Sequence, residues 1–197
     1  MKIYDISQEV FSCGVYPGDP MPTGRSILSI DKGDVCNLTE LTMCAHNGTH
    51  IDAPYHFIND GLKIDELPIE KLVGYALVAE HNGEVYGEDA EKFINKARNV
   101  QNKSVNKILI KGNATVTYDA AKVFASAGLD LVGNESQTVG PNDAPKQVHL
   151  ELLGANVILL EGIRLSSVPE GVYLLSAAPL NLGGCDGSPC RAVLIDL

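Results

Sequence analysis

The sequence predicts a mixed-sheet α/β domain, partly barrel-like, spanning residues 1–197 as one unit. Three observations predict it: nine short apolar runs bounded by turn residues, only two long stretches of helical periodicity, and an order in which strands outnumber helices. The strand candidates are residues 2–4, 26–30, 38–43, 75–79, 107–110, 129–132, 157–160, 172–175 and 192–195. Between the fourth and fifth, Ala90, Phe93, Ile94 and Ala97 recur at i, i+3, i+4, i+7, with Glu88, Asp89 and Glu91 at the start and Lys96 and Arg98 at the end, as the helix dipole favours. Ala120, Val123, Phe124 and Ala127 repeat that spacing ahead of Gly128, a suitable C-terminal cap. A shorter helix is expected over 145–153, with Pro145 in its first turn and Gly154 after its end. The clusters at 17–20 and 183–189, rich in Gly, Pro and Asp, read as loops at a common rim.

A chain of 197 residues buries a core without disulfide staples, and 45% hydrophobic with 20% charged residues is a globular composition. A formal net charge of -10 with no run of Lys and Arg argues against nucleic acid or an anionic membrane as partner and favours a small molecule. No stretch approaches the ~20 apolar residues of a membrane span, and none near Met1 reads as a signal peptide, so a cytoplasmic protein is expected. The five cysteines include no CxxC pair; reduced, mostly buried thiols are expected, and Cys44 stands out only for adjoining the cluster described next.

Three of the five histidines, with an aspartate, fall within residues 46–56: His46, His50, Asp52 and His56. In extended chain these even-numbered positions project to one side. In a helix Asp52 would lie about 200° from His50, and Gly48 and Pro54 also oppose helix. A lone histidine is more often a hydrogen-bonded loop residue than a ligand, but clustering shifts that balance. Two imidazoles and a carboxylate that converge make a first shell for zinc, and suit manganese or ferrous iron. Three protein ligands leave positions open, where bound water loses a proton near neutral pH. His56 is suited to act beside such a shell as acid or base.

His149 in the short helix and Glu161 at the end of an apolar strand form a second pair; alone, Glu161 reads as a strand-end carboxylate reaching water. The stretch from His46 to Phe57 (HNGTHIDAPYHF) resembles the signature of the cyclase-family metal-dependent hydrolases, which include bacterial kynurenine formamidases and isatin hydrolases. The likeness runs nearly the whole chain, through Tyr16-Pro17-Gly18-Asp19-Pro20, His149, Leu159-Leu160-Glu161-Gly162 and Gly187-Ser188-Pro189-Cys190-Arg191. It implies a swivelling β/β/α fold and two divalent ions, zinc first and manganese or iron next. His46, His50 and Asp52 would hold one, and Asp52, His149 and Glu161 the other. It further implies His56 as the catalytic histidine, N-formylkynurenine as the default substrate, and a homodimer or larger assembly. The sequence departs from the family in the loop 133–140, where Glu135 and Gly140 stand in place of two aspartates, and it has no Trp to line an aryl pocket.

Overall fold

The computed structural model describes residues 1–197. Its strands are β1 (Lys2–Asp5), β2 (Thr23–Leu28), β3 (Leu38–Thr42), β4 (His50–Asp52), β5 (Val73–Glu80), β6 (Gly83–Val85), β7 (Lys107–Lys111), β8 (Ala114–Val116), β9 (Leu131–Asn134), β10 (Ile158–Glu161), β11 (Gly171–Ser176), β12 (Gly187–Pro189) and β13 (Val193–Asp196). The helices are α1 (Gly87–Arg98), α2 (Tyr118–Ser126) and α3 (Lys146–Gly154). Nine strands form one curled mixed sheet, a half-barrel, in the order β1-β13-β11-β5-β7-β9-β10-β4-β12. The central β5, β7, β9 and β10 run parallel, and antiparallel neighbours extend the sheet on both sides. The mixed, strand-rich expectation is thereby met.

Burial on both faces explains why the central strands read as continuous apolar runs. Leu77, Ala79, Ile108, Ile110, Val132 and Leu159 pack beneath the three helices, joining Ala90, Phe93, Ala120, Phe124 and Leu152. Their neighbours in sequence, Ala76, Val78, Leu109, Leu131, Ile158 and Leu160, point to the inside of the curl, against Ile51, Ile163, Leu175 and Leu194. Alternate residues of one strand thus supply two cores.

Several expectations need correction. Three strands, β6, β8 and β12, were not foreseen, and β4 was read only as extended chain; each has three residues, too few for an alternating pattern to register, and β4 and β12 carry polar residues. The segment 183–189 is therefore loop only up to β12. The second strand lies earlier than expected, because Ile30 begins a 3-10 turn (Ile30–Lys32). Pro145 precedes α3 instead of lying within it, and Gly154 is its last residue. The chain turns out of α3 at Asn156, in the left-handed region at φ 57, with the Val157 N–H bonded to the Leu152 carbonyl at 2.9 Å. The cysteines are all free, yet only Cys13 is buried and Cys36 is exposed.

Strand β4 links the sheet to the site. It lies between β10 and β12, with Asp52 opposite Leu159 and Glu161 opposite His50 on one side and Gly187 opposite Asp52 on the other. His50 and Asp52 face the helix layer, while Ile51 points into the inner core. Truncation to Ile51→Ala should therefore cost about 2–5 kcal/mol, read by urea denaturation. A loss well under about 1 kcal/mol would mean that β4 is not anchored by its inward side chain.

Candidate metal centre and pocket

The polar cluster sits where the parallel strands end. Glu161 is the last residue of β10, and α3, packed in the helix layer, brings His149 to it from its first turn. Crevices at the carboxyl ends of parallel strands are where open α/β sheets bind ligands. His50 and Asp52 come from β4, His46 from the turn before it, and His56 ends a 3-10 turn (Pro54–His56). The extended reading thus describes His50 and Asp52 only; His46 and His56 reach the same place from turns. Gly48, at φ +69, makes the reversal that brings His46 back over the strand.

The ring nitrogens and carboxylate oxygens converge closely. His46 Nδ1 lies 2.8 Å from Asp52 Oδ1, and His50 Nε2 lies 3.4 Å from the same oxygen. His149 Nε2 is 3.6 Å from Asp52 Oδ2 and 3.3 Å from Glu161 Oε1; His50 Nε2 is also 3.4 Å from Glu161 Oε2. His50, Asp52, His149 and Glu161 are each at most 2% exposed. Backbone partners orient the shell from behind. The Gly48 carbonyl accepts from His50 Nδ1 at 3.1 Å and the Pro145 carbonyl from His149 Nδ1 at 2.9 Å, leaving Nε2 of each ring turned inward. Glu161 Oε1 accepts the Val139 N–H at 2.8 Å.

Burying two carboxylates side by side is tolerable only with positive charge between them. In the metal-free chain the imidazoles supply it. Burial opposes a charged His46, but hydrogen bonds to Asp186 and Asp52 outweigh burial and raise its pKa to about 9. For His50, burial is likewise overridden by Asp52 and Glu161, and the pKa reaches about 10. His149 is raised against burial by Glu161. Burial would raise Asp52, but His46 and His50 hold it well below the usual carboxylate range.

The same donors fit a cation. His46, His50 and Asp52 bring one ligand atom each within 4.8 Å of one another, and so do Asp52, His149 and Glu161. Asp52 belongs to both sets, and its Oδ2 is buried with no hydrogen-bond partner. An orphaned carboxylate oxygen facing an imidazole and a second carboxylate is the donor chemistry of a divalent-ion site. Cys44 takes no part: its Sγ lies 3.9 Å from Asp19 Oδ2, outside both sets.

Above the cluster opens a cavity of about 390 Å³, lined by His46, His50, His56, Phe57, His149 and Glu161 together with Tyr16, Asp19, Gln137, Thr138, Pro145 and Asp186. The two loops expected at a common rim meet here, through Asp19 of one, with Tyr16 just before it, and Asp186 of the other. The sequence reading missed Asp186, whose Oδ2 is 2.8 Å from His46 Nε2 and 3.2 Å from His56 Nδ1. Its only sequence signal was that Gly-rich loop. The departure at Glu135 proves structural: its carboxylate accepts the Gly112 and Leu165 N–H groups, both at 2.7 Å. His81 lies apart from the site, its Nε2 3.0 Å from the Glu84 carbonyl.

Comparison with known proteins adds a second line. A family model described as a putative cyclase matches residues 4–141. The kynurenine formamidase of Salinibacter ruber (strain DSM 13855 / M31) is 34% identical over 211 residues, spanning 100% of this chain and 98% of that protein. Among solved structures, a Bacillus stearothermophilus protein named a predicted metal-dependent hydrolase matches with a TM-score of 0.80 at 28% identity, covering 98% of this chain and 97% of its own. Isatin hydrolase A from Labrenzia aggregata, solved with benzyl benzoate, has a TM-score of 0.83 at 21% identity, covering 98% and 93%, a likeness of fold.

The raised histidines give a direct test. In chelator-treated protein the His46 and His50 rings should still be protonated at pH 7, titrating near 9 and about 10 by NMR, so zinc added at that pH should release protons into the buffer. Rings that titrate near 6.5 would contradict this electrostatic picture.

Proposed function

The chain belongs to the putative cyclase family, and on that premise we propose that it is a metal-dependent amidohydrolase cleaving a small amide, with N-formylkynurenine as the leading substrate. The observation that carries the reading is the convergence of His46 with the buried His50, Asp52, His149 and Glu161 around Asp52 Oδ2, which has no hydrogen-bond partner. In this reading His46, His50 and Asp52 would hold one divalent ion and Asp52, His149 and Glu161 a second, Asp52 belonging to both sets. Zinc leads, and manganese or iron also suits these ligands. Such ions supply Lewis acidity, bringing the pKa of a water in their shell to near 7 and drawing charge from a carbonyl oxygen.

The remaining work falls to the chain. His56, 28% exposed in its side chain, stands at the cavity beside His46, with ring centroids 4.0 Å apart. It takes the proton of the attacking water and passes it to the amide nitrogen as the C–N bond breaks, so that the acyl group leaves as a carboxylate and the nitrogen as an amine. For a formamide the products are formate and the free aryl amine. Phe57, 4.5 Å from the His149 ring, and Pro145 give the cavity its apolar wall.

A second substrate reading has its own support. None of the 12 residues lining the cavity is Lys or Arg, so the carboxylate of an amino-acid substrate such as N-formylkynurenine finds no ammonium or guanidinium partner there. A neutral cyclic amide, lactone or ester needs none, which favours an isatin-hydrolase-like reaction as the alternative; a non-catalytic metal-binding protein is the third. We further propose a homodimer or larger homo-oligomer, supported by the outlying β2–β3 ribbon, whose Ile27, Leu38 and Leu41 are exposed. The free thiols support a cytoplasmic setting, and no helix is long and apolar enough to cross a membrane.

Hydrolysis of N-formylkynurenine and of isatin, with and without EDTA, separates these readings. Turnover of at least one, abolished by EDTA and restored by zinc or manganese, is expected; a metal-loaded protein inert toward both would favour the binding-only alternative. His56→Ala should lower kcat by about 10²–10⁴-fold with metal retained, whereas Asp52→Ala should lose both ions by elemental analysis, and full metal content in that variant would exclude the bridge. Light scattering should give the mass of two or more chains; a monomer at micromolar concentration would remove the assembly.

A further inference from the structure

Asp186 is the one charged side chain in direct contact with the reacting histidines that the proposed chemistry leaves without a part. A single oxygen, Oδ2, faces His46 Nε2 at 2.8 Å and His56 Nδ1 at 3.2 Å. The two rings lie stacked, their planes 29° apart, so one acceptor meets two parallel donors at the edge of the stack. An ionised carboxylate only accepts hydrogen bonds, so each nitrogen that faces it must carry the hydrogen.

We propose that Asp186 is a positioning residue that fixes the tautomers of His46 and His56 together. With hydrogen on Nε2, His46 keeps the lone pair of Nδ1, the nitrogen 2.8 Å from Asp52 Oδ1, for a metal ion. With hydrogen on Nδ1, His56 keeps the lone pair of Nε2 for the proton it moves. Either ring in the other tautomer would point N–H where a lone pair is needed. The proposal rests on the amidohydrolase reading above and adds to it the residue that makes both histidines competent at once.

The backbone around Asp186 is built to hold this contact. The Asp186 carbonyl accepts the Ala53 N–H at 3.0 Å, and Gly187 pairs with Asp52 across the β12–β4 ladder. The loop carrying Asp186 is thereby pinned to the strand carrying His50 and Asp52. Gly187 also leaves room for the ring: a Cβ there would lie 2.6 Å from His46 Cε1. Asp186 itself sits at the cavity rim with its side chain 43% exposed, whereas the Asp52 side chain is 1% exposed. It orients by hydrogen bonds without adding a third buried charge to the cluster.

The test compares wild type with Asp186→Ala and Asp186→Asn, since Asn keeps an oxygen acceptor but no charge. Zinc affinity is measured by competition with a chromophoric chelator, and kcat and KM on whichever amide the wild type turns over. A folded Ala variant should lose about 10–100-fold in zinc affinity and a similar factor in kcat, with little change in KM, and Asn should recover most of both. In zinc-loaded wild type, ¹⁵N NMR should find Nε2–H on His46 and Nδ1–H on His56. Wild-type zinc affinity or kcat in the Ala variant, an Asn variant no better than Ala, or the opposite tautomer on either ring would overturn the proposal. A wild type that binds no zinc would instead sink the hydrolase reading on which it rests.

Discussion

The structure turns on the need to neutralise two carboxylates, Asp52 and Glu161, buried side by side at the end of the parallel strands. Neither can remain charged in an apolar interior alone, and the imidazoles of His46, His50 and His149 are what the chain sets against them. The register of β4 against β10 puts Glu161 opposite His50, and the packing of α3 closes the ring with His149. Three separate parts of the sequence thus meet at one point, each brought there by apolar contacts on its other side. The fold is the means of assembling charge that no local segment could hold.

That arrangement has the donor chemistry of a divalent-ion site as well. Protonated rings satisfy His46 and His50, yet Asp52 Oδ2 stays without a hydrogen-bond partner. A cation between the donors would meet that oxygen and free the histidines of their protons. The carbonyls of Gly48 and Pro145 hold two of the rings with Nε2 turned toward the carboxylates.

Much of this was legible in the sequence, for reasons that differ by element. Strands β5, β7 and β10 are buried on both faces and advertise themselves as apolar runs, and α1 and α2 carry an apolar stripe with charge outside. The crowding of His46, His50, Asp52 and His56 marks the cluster in the sequence, and the family likeness ties His149 and Glu161 to it. Strand β4 was legible as extended chain but not as a sheet strand, because two of its three residues are polar. Asp186 was hidden for a different reason. It lies 140 positions from His46, and nothing local distinguishes an aspartate in a glycine-rich loop from a solvated turn residue. Only the pairing of β12 with β4 reveals its neighbours.

The most direct measurement of the central claim is an anomalous difference map from crystals of the zinc-loaded protein, collected at the zinc edge. The account predicts peaks on either side of the Asp52 carboxylate, one toward His46 and His50 and the other toward His149 and Glu161. A map without a peak at this carboxylate, from crystals carrying zinc elsewhere or none, would contradict it.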